Sequence, residues 1–195
     1  MMNLGVRILL ASSSPRRSEL LSSLGFDFEV VEHQALEEYP DNLFEGEIAA
    51  YLSEIKAMSL FSTIKPDELV IAADTIVYHK GAVLEKPASP EKAARMLRKL
   101  GGSMHKVYTG VTLMNSQYYH TFVEETEVWF NPIDEDEIQY YIKNFSPFDK
   151  AGAYGIQEWL GIAKVSKIVG SYNNVVGLPT AELYREIKRF LAQAK

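Results

Sequence analysis

Two short apolar runs constrain the fold of this 195-residue chain most. Val6 to Ala11 (VRILLA) and Leu69 to Ala73 (LVIAA) lack the strict polar alternation of a strand with one face in water. Runs of this kind read as strands covered on both faces, as in parallel pairing. Helical patterns lie around them. Ser14-Pro15 is a cap-and-start signal for a helix carrying Leu20, Leu21 and Leu24 and stopping at Gly25. After a short strand at Phe28 to Val31, a helix is expected from Glu47 to about Ser62, with Ile48, Leu52, Ile55 and Ser59 inward. The strand LVIAA is expected to end before Asp74, and Ile76 to Glu85 reads as a hairpin turning at Lys80-Gly81. Ser89-Pro90 opens a further helix, and two long strands follow, Val107 to Met114 and Tyr118 to Phe130. Asp134 and Glu137 fit a capping box. Ile162 to Val169 alternates as a strand, Gly170 to Asn174 reads as a loop, and a last helix starts at Thr180. Hairpins together with helical crossovers predict an α/β protein with a mixed β-sheet and flanking helices.

Composition removes whole classes of function. Apolar residues are 47% and charged residues 24%, which is the balance of a globular chain rather than a disordered one. Lys and Arg number 20 against 26 Asp and Glu, a net charge of −6, so a surface for a nucleic-acid polymer is not expected. Cysteine is absent, which rules out disulfides, a thiol nucleophile and thiolate metal sites. The four histidines, His33, His79, His105 and His120, show no ligand spacing. Any metal therefore has to be held by oxygen, which points to Mg²⁺ or Mn²⁺. The double arginine follows the N-terminal apolar run instead of preceding it, unlike a secretory signal, and Val107 to Val123 is too polar to span a bilayer. The expected location is cytoplasmic, with no membrane partner.

Several residues invite a chemical reading. Ser12-Ser13-Ser14-Pro15-Arg16-Arg17 lies between a strand and a helix N-terminus. Two arginines in a first turn oppose the helix dipole unless an anion sits there; a phosphate site and a solvated cap both remain open. Asp74-Thr75 follows the apolar strand, where a catalytic or metal-binding acid is well placed and a turn cap is the plain alternative. Lys56 sits at the rim of its helix stripe, either snorkelling into a cleft or simply at the surface. Lys86 precedes Pro87 in extended chain, and Glu37 and Glu38 fall in a polar loop. In Asp149-Lys150-Ala151-Gly152-Ala153-Tyr154-Gly155-Ile156-Gln157, Gln157 has the donor and acceptor suited to a base edge; a tight turn is the other reading. The acidic run Glu124 to Glu137 reads as solvated surface.

Taken in order, these segments resemble the Maf family of nucleotide pyrophosphatases. The resemblance runs from Leu9 to about Leu183 through Leu10–Arg17, Glu37, Lys56-Ala57, Ala73-Asp74-Thr75, Lys86-Pro87, His105 with Thr109-Gly110-Val111, Asp149–Gln157 and Val176-Gly177-Leu178-Pro179. It implies an elongated, inosine-triphosphate-pyrophosphatase-like fold (Maf/Ham1-like): a single domain over residues 1–195, with two lobes around a cleft, often a homodimer. It also implies cleavage of a nucleoside triphosphate between the α and β phosphates, with a divalent metal. Arg17, Thr75 and Gln157 look like the branch acting on dTTP and UTP. This chain departs from the family pattern in three places. Leu36 stands where an Asp often precedes the loop glutamate, Ser103 stands where an Arg often precedes the His, and Glu158 replaces a Gly after the Gln.

From this resemblance Ser12, Arg16, Lys56 and Lys86 are expected to neutralise the triphosphate. Glu37 and Asp74 are expected to hold Mg²⁺ or Mn²⁺, with Asp74 also activating water, and Arg17, Thr75 and Gln157 to select the pyrimidine. Asp74→Asn is expected to nearly abolish turnover and to leave thermal unfolding unchanged. The alternatives are a nucleotide-binding regulator of cell division and septum formation without relevant turnover, and a pyrophosphatase for modified purine nucleotides. Asp74, Lys56, Lys86 and Glu37 speak against the first, and Gln157 with Arg17 against the second.

Overall fold

The computed structural model describes residues 4–193, so both ends of the expected 1–195 domain lie outside the described residues. In chain order the elements are β1 (Arg7–Ala11), α1 (Pro15–Ser23), β2 (Phe28–Val30), α2 (Gly46–Met58), β3 (Glu68–His79), β4 (Ala82–Leu84) and α3 (Pro90–Leu100). They continue with β5 (Met104–Met114), β6 (Tyr119–Phe130), α4 (Glu135–Phe145), α5 (Trp159–Lys164), β7 (Val165–Val169), α6 (Tyr172–Val176) and α7 (Thr180–Gln193). Two 3₁₀ turns, Pro147–Asp149 and Ala151–Ala153, precede α5. The strands form one seven-stranded sheet in the order β2-β1-β3-β5-β6-β7, with β4 paired to β3. β1 is parallel to both β2 and β3, whereas β3–β4 and β6–β7 are antiparallel. This is the mixed α/β sheet that the sequence pattern predicts.

The chain divides into two compact units, the first made of Met1–Asp74, Thr109–Glu124 and Gly177–Lys195, the second of Thr75–Tyr108 and Glu125–Val176. In the first unit, the two apolar runs are covered on both faces. Ile8, Leu10, Leu69 and Ile71 pack with Leu21 of α1 and with Leu183, Ile187 and Phe190 of α7. Leu9, Ala11, Val70 and Ala72 pack with Ala57 of α2 and Met114. Burial of one large aliphatic side chain is worth about 1.5–3 kcal/mol, so these two layers hold the parallel strands in register. α2 lies directly on β5, because a Cβ on Gly110 would stand 2.2 Å from the carbonyl oxygen of Ala49.

The second unit packs α3, through Ala93, Ala94, Leu97 and Leu100, and α4, through Ile138, Tyr141 and Ile142, against Val77, Val107, Val128 and Phe130. Its hairpin turns at Lys80 (φ 49°) and Gly81 (φ 85°), two consecutive left-handed residues as a tight strand-matching turn requires. The capping box of Asp134 and Glu137 is formed. No helix among the described residues is long and apolar enough to cross a membrane.

Three expectations are corrected. β3 does not end at Ala73; pairing of Val77 with Leu84 keeps the backbone extended to His79. The expected strand from Ile162 begins instead as α5, whose Gly161 lies so close to Ile156 that a Cβ would stand 2.1 Å from its carbonyl oxygen. Ile162 is thereby left 77% exposed. Residues 172–176 form α6 rather than loop, with Asn174 buried and donating to the Val107 carbonyl and to Thr126 Oγ1. The acidic run lies at the surface as expected, each acid exposed or half-buried, with Lys106 meeting Glu125, Arg98 meeting Glu135 and Lys164 meeting Glu137 there.

Candidate functional site

The buried face of α2 carries Ile48, Ala49, Leu52, Ser53, Lys56 and Ala57. This face is rotated from the expected stripe, and Lys56 lies inside it, 4% exposed, rather than at its rim. An isolated ammonium cannot be buried cheaply, and this one is met by two acids. Lys56 Nζ donates to Asp74 Oδ1 at 2.5 Å and lies 3.1 Å from Glu37 Oε1. Asp74 is 8% exposed and comes from β3, two residues beyond the last pairing of that strand with β1, Ala11 with Ala72. The sheet has opened there on one side, so the positional logic behind Asp74 holds although the strand itself runs on. Glu37 reaches in from the loop after β2, with its side chain 45% exposed.

The strand-to-helix corner supplies a second cation. Arg17 donates from Nη1 to Ser12 Oγ at 3.1 Å and from Nε to the Gly177 carbonyl at 2.9 Å. Ser12 Oγ also accepts from the Ser14 amide, so this hydroxyl fixes both the corner and the guanidinium. Ser14 itself makes no side-chain cap bond. Burial pushes the Arg17 guanidinium below its ordinary pKa; the Asp74 charge opposes this, Arg16 adds to it and Glu37 opposes it. Arg16 is half-buried beside it. Ser12, Arg17, Glu37, Lys56 and Asp74 thus share one corner of the first unit.

His33 belongs to the same corner and was missed by sequence reasoning. Its Nε2 lies 3.8 Å from Glu37 Oε1, and its pKa is lowered by burial first and by the Lys56 charge second. A lone histidine in a polar loop gives no pattern to find. Also unread were the hydroxyls of Ser53, Thr112 and Thr121, which run from α2 across β5 to β6 at 2.8 and 2.9 Å. They tie the helix bearing Lys56 to the sheet.

Thr75, Lys86 and Gln157 fall in the second unit. Thr75 is half-buried, Lys86 is exposed ahead of buried Pro87, and Gln157 is exposed directly after buried Ile156. The loop behind Gln157 is tightly built. Gly152 (φ 69°) and Ala153 (φ 61°) are both left-handed, and the Gly155 amide donates to Tyr141 Oη at 2.9 Å. Tyr141 in turn donates its hydroxyl to Glu158 Oε2. Burial pushes the Tyr141 phenol well above its ordinary pKa, so it remains a donor. Lys150 Nζ bridges Asp149 at 2.7 Å and Glu158 at 3.0 Å. Deeper in the unit, His105 is 1% exposed and pairs through Nε2 with Tyr154 Oη at 2.7 Å. Burial pushes His105 down to about 3, with His79 adding to the shift.

Among the described residues, no group of three His, Cys, Asp or Glu side chains is placed to hold a metal by itself. The oxygens that converge, those of Asp74 and Glu37, are hard donors from two different elements. They suit a cation such as Mg²⁺ that takes one or two carboxylates and completes its shell with substrate phosphate and water.

Comparison with known proteins gives the family. Residues 7–190 match the family model described as Maf-like protein. A protein of Bacteroides fragilis named dTTP/UTP pyrophosphatase is 48% identical over 184 residues, covering 94% of this chain and 95% of its own. One of Cytophaga hutchinsonii with the same name is 49% identical over 182 residues, covering 93% and 83%. Among solved structures, the Ham1 protein of Staphylococcus aureus is similar at 15% identity and a TM-score of 0.48, covering 97% of this chain and 100% of that one. With nearly its whole length matched in this way, the chain belongs to the Maf-like protein family.

Proposed function

We propose that the protein is a nucleoside triphosphate pyrophosphatase that hydrolyses dTTP and UTP to the monophosphate and pyrophosphate. One observation carries this reading: a buried lysine held between two carboxylates, beside an arginine-bearing helix start. Such a corner offers positive charge to polyphosphate and an oriented acid to water. The names of the relatives, at 48–49% identity over more than nine-tenths of this chain, support the choice of substrates.

In this reading Lys56, Arg16 and Lys86 stabilise the charge of the phosphates, and Ser12 sets Arg17. Lys56 fixes Asp74 through Oδ1, so Oδ2 is the oxygen that takes a proton from the attacking water. Water adds, the α–β anhydride bond breaks, and pyrophosphate leaves. Glu37 and Asp74 would hold Mg²⁺ or Mn²⁺, which when bound supplies Lewis-acid charge to the phosphate oxygens. Base selection falls to Arg17, Thr75 and Gln157. This reading places the protein in the cytoplasm, where nucleotide pools lie, and expects a homodimer, which sedimentation tests.

The test is direct. The protein is incubated with Mg²⁺ and a panel of pyrimidine, purine and modified triphosphates, and pyrophosphate is measured separately from orthophosphate. Equal amounts of monophosphate and pyrophosphate from dTTP and UTP are expected. Orthophosphate alone, or no product, overturns the reading.

A further inference from the structure

Gln157 is exposed, yet everything behind it is fastened. The fastening converges on its neighbour. Glu158 is the residue ahead of α5, and its two carboxylate oxygens take different partners: Oε2 accepts from the Tyr141 hydroxyl and Oε1 meets Lys150 Nζ. Tyr141, fully buried on α4, also accepts from the Gly155 amide, so one phenol links the loop before Gln157 to the residue after it. Lys150 extends the hold to Asp149 at the start of the loop. Contact is close enough that a Cβ on Gly155 would stand 2.8 Å from Glu158 Cδ. A neutral small residue at 158 would leave the Tyr141 hydroxyl and the Lys150 ammonium without this acceptor. Charge-assisted bonds of this kind are the stronger ones and fix geometry as well as energy.

We propose that Glu158 is the positioning residue that sets Gln157 for reading the nucleobase, acting through its clamp on Tyr141 and Lys150. This rests on the assignment of Gln157 to base selection. Glu158 itself touches no reacting atom. Its effect is to keep an exposed amide in one pose, so that the order is already present before the base arrives.

The test uses the full chain carrying Glu158→Ala, Glu158→Gln, Tyr141→Phe or Gln157→Ala. The readouts are KM and kcat for dTTP and UTP, discrimination against dATP, melting temperature, and inhibition by inorganic pyrophosphate, which has no base. For Glu158→Ala and Tyr141→Phe we expect KM to rise about tenfold, which is ~1.4 kcal/mol. Discrimination against dATP should fall by a similar factor, with kcat within about twofold and pyrophosphate inhibition unchanged. Glu158→Gln still accepts from Tyr141 and should stay within about threefold of wild type. A lower melting temperature with wild-type KM and discrimination would make the clamp merely structural and overturn the proposal. Loss of discrimination in Gln157→Ala but not in the clamp variants overturns this inference alone. Retained discrimination in Gln157→Ala overturns the base-reading assignment, and the inference with it. Should Glu158→Ala fail to fold, Tyr141→Phe, which keeps the buried ring, decides.

Discussion

Each unit buries a lysine between two carboxylates, Lys56 in the first and Lys150 in the second, but the contrast between Lys56 and the buried pair His105–Tyr154 is the instructive one. The first hides a charge: the Lys56 ammonium is nearly inaccessible and is neutralised by Asp74 and Glu37. The second hides a neutral pair: His105 and Tyr154 share one hydrogen bond, and burial keeps the imidazole unprotonated. A buried charge needs an opposite charge, whereas a buried neutral group needs only a hydrogen-bond partner. The first arrangement is costly to disturb and chemically potent, which suits a site. The second is quiet at neutral pH, which suits a core.

The sharpest way to break the contrast is Asp74→Asn. Loss of one strong transition-state contact costs about two to three decades in turnover. The pairing with Lys56 also revises the sequence-based expectation of an unchanged melting temperature. Removing one partner of a buried pair costs about 3–5 kcal/mol, so the variant should unfold earlier as well as fail to release pyrophosphate. Adding Lys56→Met to that variant should restore most of the stability and none of the turnover, as thermal melts and product assays would record. If Asp74→Asn melts like wild type, Lys56 is not neutralised by Asp74.

Next in size is the histidine. The folded-state pKa of about 3 lies below the ordinary 6.5, so the unfolded chain binds a proton that the folded chain does not. Stability is therefore complete above about pH 6.5 and falls as pH drops toward 3, by ~1.4 kcal/mol per unit. Urea unfolding across that window should show this slope in wild type and lose it in His105→Gln. A smaller effect is expected of Ser53→Ala. It removes one bond of the hydroxyl chain under α2 and should cost ~1 kcal/mol in urea unfolding, with kcat at saturating dTTP unchanged.

The sequence reveals the fold where periodicity and turn chemistry agree. VRILLA and LVIAA, the Lys80-Gly81 turn and the Asp134–Glu137 box are all local signals, and each appears, although the strand begun by LVIAA runs on to His79. It misleads where a distant partner decides. Lys56 looks like a rim lysine on the helix wheel, because it takes Asp74, eighteen residues on, and Glu37, nineteen residues back, to make its burial tolerable. Ile162 looks like the start of a strand, because nothing local tells that Gly161 rests on Ile156. Ser12, Arg17, Glu37, Lys56 and Asp74 could be named from the family pattern, but their mutual arrangement could not. The Glu158 clamp was visible only as a departure from that pattern.

Gly110 carries a consequence for how freely this sequence can drift. Its missing side chain lets α2 rest on the sheet, and the obstacle to any larger residue is the main chain of Ala49, which no partner mutation can trim. In a saturation library selected for activity, position 110 should therefore return glycine alone. Its intolerance would then come from the main chain it faces, because it sets the height at which the helix bearing Lys56 is carried.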